Sequence, residues 1–199
     1  MDYIQITKDN IEKEHICCAM SGKQSVMKKE WLKQRFAEGL VFYRSTERGK
    51  CFIEYIPAEN AWVPIQADGY VYIDCLWVSG SLKGHGYANE LLQQCVQDAK
   101  GQGRKGLCIL SAEGRKREFL SDPKFMAYKG FAVADTSECG INLMYLPFEQ
   151  DAEPPKFKRA PSTLRWSRVG SFFIIPISAR LLTTGCRGWK KPQESTGYR

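Results

Sequence analysis

Runs of apolar residues mark the strands of this chain. The longest run, Tyr70–Val78, is apolar at almost every position, which predicts a central strand buried on both faces. Six shorter runs predict further strands, at Tyr3–Thr7, Leu40–Arg44, Lys50–Ile56, Gly106–Leu110, Phe131–Asp135 and Ile141–Pro147. Gly49 lies between the second and third of these, so we expect a hairpin there.

Helical spacing marks the segments between these runs. The apolar residues from Ala88 to Ala99 recur every three or four positions and form one stripe, and Gly101 and Gly103 end the helix. Three further helices are predicted at Asn10–Met20, Lys28–Glu38 and Glu118–Tyr128, the last interrupted by Pro123. The resulting order, β-α-α-β-β-β-α-β-α-β-β, predicts an α/β fold with a mixed sheet.

Charge divides the chain into two unlike parts. Its 199 residues include 29 basic and 22 acidic side chains, a net charge of +7. Eight of the basic residues and one acid lie in residues 159–199, so residues 1–158 are balanced at 21 of each. We therefore predict a domain at residues 1–150, a linker at 151–158 containing Pro154 and Pro155, and a disordered basic tail at 159–199.

Membrane insertion and secretion are not indicated. The most apolar window, Phe172–Leu182, is too short for a transmembrane helix and contains Pro176 and Arg180. The N-terminus lacks the basic-then-apolar pattern of a signal peptide, so we expect a cytoplasmic protein.

The cysteines do not indicate a metal site. There are eight cysteines and two histidines, with no Cys-x-x-Cys spacing, so we expect no bound metal. Four cysteines in apolar patterns are expected to be small buried residues: Cys51, Cys75, Cys95 and Cys108. Cys17 and Cys18 are adjacent, and a thiol sensor is an alternative to simple packing there.

The segment Ser79–Gly86 carries the clearest chemical signal. It connects the longest strand to the strongest helix, so backbone N–H groups and the positive end of the helix dipole point at one spot, which favours phosphate. Gly84 and Gly86 let the backbone approach a ligand, and Lys83 adds positive charge. The Walker lysine motif is absent, and Asn89 stands where a dinucleotide-binding fingerprint has its third glycine.

Two motifs resemble those of the GNAT N-acetyltransferases. The stretch Val78–Leu92 resembles their acetyl-CoA motif, and Phe125–Phe131 resembles their Phe-Tyr-x-x-x-Gly-Phe motif. The resemblance covers about residues 1–148 and implies the GNAT acyl-CoA N-acyltransferase fold, with six or seven strands and about four helices. It implies acetyl-CoA as cosubstrate and direct attack on the thioester by an amine. The acceptor would be a small molecule or a peptide.

The resemblance also implies which residues hold the cofactor. Backbone groups of Leu76, Trp77 and Val78 would pair with the pantetheine arm. Backbone N–H groups of the following run would hold the pyrophosphate: Leu82, Lys83, Gly84, His85, Gly86, Tyr87 and Ala88. Ser81 replaces the family's glutamine or arginine, which removes a long side chain but keeps the backbone cradle.

The catalytic residues are less clearly indicated. Asp74 lies in the apolar strand, where burial favours its protonated form and suits proton transfer, although a purely structural hydrogen bond is an alternative. Glu54 is a second candidate base. The tyrosine that often protonates the leaving thiolate is replaced by Met126, which cannot donate a proton. Tyr128 and Tyr87 are the substitutes considered. Tyr128 lies two residues after Met126, about 200° around a regular helix, so in such a helix it cannot simply take over.

Other polar residues have structural and functional interpretations of similar weight. His85 is expected to cap the helix or touch phosphate rather than to act in catalysis. Glu59, Asn60 and Trp62 could shape the acceptor pocket or simply be solvated. The basic run at residues 115–117 could reach the 3′-phosphate of CoA, or form a solvated surface.

The C-terminal region departs from the family subgroup that the domain most resembles. In that subgroup a YoaP-type, thioredoxin-like domain follows, beginning with Lys-His-Pro and then Tyr-Thr-Asn-Gln-Cys-Pro. Codons can be chosen for Ala160–Leu164 and Phe173–Arg180 so that one shifted frame encodes both motifs. Our hypothesis is that residues after about Lys158 are translated out of frame, which the coding DNA would test.

Two other functions remain open at this point. A degenerate GNAT domain could bind acyl-CoA without turnover, and the methionine at position 126 is the main support for it. A nucleic-acid binder acting through the basic tail is less favoured, because residues 1–158 have no net charge. The sequence gives neither the acceptor nor the oligomeric state.

Overall fold

A computed structural model describes residues 1–16, 22–113, 120–138 and 140–158. Seven strands of the described part form one sheet in the order β1-β2-β3-β5-β6-β8-β7, in which β5 and β6 run parallel and the other neighbours antiparallel. The seven are β1 (Tyr3–Ile6), β2 (Val41–Ser45), β3 (Cys51–Pro57), β5 (Tyr70–Val78), β6 (Gly106–Ala112), β7 (Ala132–Thr136) and β8 (Ile141–Pro147). Two short strands, β4 (Ile65–Gln66) and β9 (Lys156–Phe157), pair separately.

Helices cover the two faces of this sheet. Helix α1 (Gly22–Arg35) contributes Leu32 to a core that includes Phe42, Phe52 and Tyr72. Helices α2 (Tyr87–Gly101) and α3 (Pro123–Tyr128) pack on a second core, on the face that Ile53, Ile73 and Ile109 present. Side chains of successive strand residues point to opposite faces, so the sheet separates an α1 face from an α2–α3 face. The predicted mixed α/β fold is confirmed.

The first predicted helix is wrong over the residues that the structure describes. Residues 8–14 form turns with isolated backbone hydrogen bonds, such as the one from Glu14 N–H to the Asn10 carbonyl at 3.1 Å. The Asn10 side chain does not cap a following helix, because it accepts from Thr7 N–H and donates to the Gln5 carbonyl at the end of β1. The apolar residues of 10–16, Ile11 and Ile16, are both buried but lie five positions apart, so they do not form the continuous stripe of a core helix.

Two other boundaries differ for local reasons. Pro123 does not interrupt a helix but begins α3, where its missing N–H costs nothing, and the Asp122 carboxylate accepts from Lys124 and Phe125 N–H. The helix expected from Lys28 begins at Gly22 instead. The α-helix ends at Arg35, and a 3₁₀ turn over Phe36–Glu38 continues to the predicted stop at Gly39, which has φ +86° and whose N–H donates to the Phe36 carbonyl.

The segment predicted as a linker packs onto the domain. Within residues 151–158, strand β9 pairs with β4. The Tyr70 hydroxyl donates to the Glu153 carbonyl at 2.9 Å, and Phe157 N–H donates to Asp135 at 2.9 Å. Strands of two residues carry no periodic signal, which explains why the pattern predicts neither of them.

Replacing Tyr70 by phenylalanine should reveal this attachment. Loss of the bond to Glu153 should lower the free energy of unfolding at pH 7 by about 1 kcal/mol. Burial raises the pKa of Tyr70 to about 12, so the wild type loses stability between pH 10 and 12, as the unfolded phenol ionises first. The variant lacks that loss, so urea titrations at pH 7, 10 and 11 should show the two stabilities converging. The control is Tyr128→Phe, at an exposed site. If the free energy of unfolding changed equally with pH in all three proteins, the role given to the Tyr70 hydroxyl would be wrong.

The described helices include none long and apolar enough to cross a membrane. Cys51, Cys95 and Cys108 are buried as predicted, and burial raises the pKa of the Cys95 and Cys108 thiols. Cys75 is partly exposed, because β5 is fully buried only over Tyr70–Ile73 and its second half is open on one side. The prediction of burial on both faces therefore holds for only the first half of the strand.

Candidate functional site

The two parallel strands at the centre of the sheet separate part-way along their length. Tyr70–Ile73 pairs with Gly106–Ile109, and the pairing stops there although β5 continues to Val78. Asp74–Val78 therefore has β3 on one side and, on the other, a gap where β6 has left it. A gap between parallel strands offers a backbone edge to which an extended ligand can add as a short strand.

Alternation of the backbone shows which groups line this gap. Ser79 N–H donates to the Lys50 carbonyl at 2.8 Å, so the backbone of Ser79 faces β3. Two residues earlier, Trp77 faces the same way, since backbone groups alternate along a strand. The backbone groups of Leu76 and Val78 consequently face the gap. Trp77, predicted to pair with the cofactor as well, directs its backbone towards β3.

Another segment borders the far side of the gap. Ser121 N–H donates to the Leu110 carbonyl at 3.3 Å, and Ser121 forms an isolated bridge with Ser111. The chain entering α3 thus covers part of the β6 edge, while the β5 edge remains the accessible one. A ligand in the gap would pair with β5 rather than with both strands.

The glycine loop, residues Ser79–Gly86, joins this edge to α2. Gly80, Gly84 and Gly86 all have positive φ, at +65°, +84° and +84°. A β-carbon at any of the three would meet nothing within 4 Å, so the glycines serve backbone conformation and an open approach rather than packing. Residues Lys83–Gly86 are exposed.

Unused donors cluster at the start of α2. Asn89 and Glu90 N–H donate to the Gly86 carbonyl, whereas the N–H groups of residues 84–88 donate to no backbone acceptor in the described part of the chain. With the helix dipole behind them, these donors form an anion cradle. The predicted pyrophosphate residues Leu82, Lys83, Gly84, His85, Gly86, Tyr87 and Ala88 all lie in this one stretch.

Side chains around the loop fix its shape. The rings of His85 and Tyr87 stack, with centroids 5.5 Å apart, and Leu82 packs towards Gly49 in the β2–β3 turn. One turn into α2, Glu90 accepts from the Tyr3 hydroxyl at 2.8 Å, which ties the helix to β1. Burial and this bond raise the pKa of Tyr3, so its phenol stays a neutral donor.

Asp74 occupies a special position in β5. Glu54 lies opposite Cys75 and the next residue, Tyr55, lies opposite Ile73, so Asp74 is the extra residue of a β-bulge. Bulges turn a strand and re-aim side chains. This one falls at the point where β6 leaves β5, which places the predicted base at the closed end of the gap.

Glu54 lies on the neighbouring strand and forms a salt bridge with a lysine. Its carboxylate is buried, with 1% of the residue exposed, and accepts from Lys28 Nζ at 2.7 and 3.0 Å. The ammonium also lies 4.0 Å from the centroid of the Trp31 ring. The structure therefore brings the two predicted bases onto adjacent strands, but gives Glu54 a partner that sequence reasoning missed. Lys28 is 26 residues away in a helix of ordinary composition, and no local pattern connects the two.

Met126, at the position of the family's tyrosine, and its candidate substitute Tyr128 differ sharply in burial. Met126 is fully buried in the core beneath α2. Tyr128 is 81% exposed, and its ring lies beside Lys129, with Nζ 4.4 Å from the centroid. Two positions along α3 thus carry the side chain from the core to solvent, as the predicted rotation requires.

The loop expected to shape the acceptor pocket lies elsewhere. The Glu59 carboxylate binds Arg104 at 3.1 Å and Gly69 N–H at 2.8 Å, and the Asn60 amide donates to the Glu38 carbonyl. Both residues line an open cavity of about 650 Å³, which Gln102 borders at the C-terminal end of α2. The glycine loop is at the other end of that helix. Trp62 packs under Arg35, so these residues do not form an acceptor pocket beside the gap.

Several sequence predictions fall on residues outside the described ranges. They are the Cys17–Cys18 pair, the basic run at residues 115–117, and the basic tail with its frame hypothesis.

The sequence matches a family profile and a named relative. A sequence profile described as "Acetyltransferase (GNAT) family" matches residues 9–116. A Bacillus subtilis (strain 168) protein named "Uncharacterized N-acetyltransferase YoaP" is 49% identical over 162 residues, covering 79% of this chain and 64% of that protein. The chain thus spans less than two thirds of that relative.

Solved structures share the fold at low sequence identity. YhbS of Escherichia coli, in complex with CoA, has a TM-score of 0.53 and 12% identity over 78% of this chain and 88% of its own. YncA of Salmonella typhimurium, with acetyl-CoA, has a TM-score of 0.51 and 13% identity over 77% and 96%. At this identity the likeness establishes the fold alone.

Proposed function

The chain belongs to the GNAT family of acetyltransferases, and from this premise we propose that it transfers the acetyl group of acetyl-CoA to the amine of an acceptor. The observation that carries the proposal is the continuity of two features. The accessible edge of β5 leads directly into the anion cradle of the glycine loop. An extended amide-containing arm followed by a pyrophosphate is the ligand that such a path fits.

The residues present fit acetyl-CoA. Backbone groups of Leu76 and Val78 would pair with the pantetheine amides, and the N–H groups from Gly84 to Ala88 would hold the pyrophosphate, with the Lys83 side chain adding charge; the Lys83 N–H itself donates to the Gly80 carbonyl. Acetyl-CoA supplies an activated acetyl thioester at the end of the gap. The CoA and acetyl-CoA in the YhbS and YncA structures support this choice of cosubstrate.

Asp74 is our proposed general base. Its place at the bulge puts a carboxylate beside the end of the gap, where an acceptor ammonium must lose a proton before it can attack. Glu54 is the second candidate, and Lys28 engages both of its oxygens. Unlike Asp74, it does not lie on the strand that borders the gap.

Tyr128 remains our candidate proton donor to the leaving thiolate. Met126 has no proton to give and is buried, whereas the Tyr128 phenol is open to solvent and can be reprotonated from it. Tyr87, the first residue of α2, stacks on His85 at the glycine loop and is the less favoured alternative.

Turnover should be detectable as free CoA thiol. Purified protein with acetyl-CoA and a panel of amino acids, polyamines and lysine peptides should release CoA faster with at least one amine than with buffer alone. Calorimetry with CoA should show binding whether or not an acceptor has been found. Absence of CoA binding would refute the proposal outright.

A degenerate acyl-CoA sensor is the second candidate, and the buried Met126 is what favours it. Tight CoA binding without turnover on any amine is its signature. Nucleic-acid binding is the third and weakest candidate, since the net positive charge of the chain comes wholly from residues 159–199. A chain ending at Lys158 that kept DNA affinity would support a nucleic-acid role for the domain itself.

A further inference from the structure

Lys28 of α1 is held beside the second candidate base, Glu54, in the manner expected for a substrate amine. Lys28 Nζ lies 2.7 and 3.0 Å from the two oxygens of Glu54 and over the Trp31 ring. A carboxylate and an indole face are what a site for a primary alkylammonium requires. We propose that Lys28 is itself an acetyl acceptor, and that the protein acetylates this residue in cis. The inference rests on the proposed function.

The position of Glu54 places this lysine beside the reacting end of the gap. Glu54 lies directly opposite Cys75, which is flanked by Asp74 at the bulge and by Leu76 at the accessible edge. β5 separates Glu54 from the gap, so a ligand paired with the β5 edge lies two strand spacings, about 9.6 Å, from β3. The four-carbon stem of lysine is flexible and lets its amine swing towards the gap.

The exposure of Lys28 agrees with a reactive role. Its side chain is 21% exposed, so the amine is neither sealed in the core nor fully solvated. The neighbouring lysines of α1 point elsewhere: Lys29 Nζ donates to the Glu12 carbonyl at 3.1 Å, and Lys33 Nζ to Glu30 at 2.7 Å. Among these three, Lys28 is the one bound to a residue of the central sheet.

The step balances without any further reactant. The ammonium gives one proton to a neighbouring carboxylate, and the amine then attacks the thioester carbonyl. The C–N bond forms, the C–S bond breaks, and CoA leaves as a thiolate that takes up a proton. Acetylation removes the charge of Lys28, so the buried carboxylate of Glu54 loses its ion pair and becomes available to the ammonium of an external acceptor.

Peptide mass spectrometry tests this directly. The full chain is incubated with acetyl-CoA alone, and acetylation of Lys28 and Lys29 is followed over time. We expect Lys28 to be labelled at least ten times faster than Lys29, because chemical acetylation favours solvated amines and only a cosubstrate bound in the gap would favour Lys28. Lys29→Arg should leave the rate at Lys28 unchanged, whereas Glu54→Gln should lower it several-fold.

Each outcome separates this inference from the proposed function. Equal labelling of both lysines, or the same pattern in urea-unfolded protein, would overturn self-acetylation. CoA release with external amines in Lys28→Arg, together with an unlabelled wild type, would overturn it while leaving the transferase intact. If CoA does not bind at all, the proposed function fails, and this inference fails with it.

Discussion

Replacing Gly86 by valine should weaken CoA binding by about 100-fold. Gly86 precedes the first turn of α2 with φ +84°, a conformation that costs ordinary residues about 1–2 kcal/mol and β-branched ones more. Relaxation to negative φ would turn the N–H groups of residues 84–88 away from the pyrophosphate. Strain and lost bonds together need only reach about 2.7 kcal/mol for a 100-fold effect. Calorimetric titration with CoA measures it.

The same helix provides a matched control. Gly101 ends α2, and a β-carbon there meets nothing within 4 Å, so Gly101→Ala should keep CoA affinity and gain slightly in stability. Gly86 is exposed and its β-carbon would clash with nothing, so Gly86→Val should stay folded, with circular dichroism like the wild type. Wild-type affinity in this variant would show that the glycine loop is not the pyrophosphate site.

The cofactor half of the site was predictable because it is built from one continuous stretch. The apolar run of β5, the glycines after it and the stripe of α2 each have a local cause, and all three appear as expected. Backbone groups make most of the cradle, so the identity of Ser81 matters little to it. The accessible edge of β5 could not be predicted in this way. It exists because β6 stops pairing with β5 after Ile73, and strand pairing leaves no periodic pattern in the sequence.

The acceptor half was not predictable in the same way. It depends on side chains from distant elements, as the Lys28–Glu54 ion pair shows. The bulge at Asp74 follows from the register between β3 and β5, which no periodicity reveals. Glu59 and Asn60 looked available for a substrate in sequence, but Arg104 and Glu38 engage them at the far end of α2. Long-range partners therefore decide which polar residues remain for function.

These halves also differ in what can be transferred from relatives. Backbone cradles survive substitution of side chains, so the family's cosubstrate is supported here even where Ser81 and Met126 depart from its pattern. Acceptor recognition has no such protection, because it depends on individual side chains rather than on the backbone. The catalytic test must therefore address the one candidate that sits where both halves meet, Asp74.

Changing Asp74 to asparagine should lower kcat for an amine acceptor by about 10²–10⁴-fold, the usual contribution of a general base. The amide keeps the size and hydrogen-bonding shape of the carboxylate at the bulge but cannot accept a proton. CoA affinity should stay within about twofold, because the cradle lies beyond Val78. The residual rate should keep rising with pH, since attack then depends on amine that is already neutral in solution. Stopped assays of thiol release from pH 6 to 10 measure both effects.

Two controls decide between the acids of the site. Asp68→Asn changes an exposed acid in the turn before β5 and should leave kcat unchanged. Glu54→Gln breaks the ion pair with Lys28 and should raise KM for the acceptor more than it lowers kcat, because Glu54 shapes the region without taking the proton. The reverse result, a large fall in kcat for Glu54→Gln with Asp74→Asn within threefold of wild type, would move the base to β3. The pantetheine edge would then stand as assigned, and only the identity of the base would change.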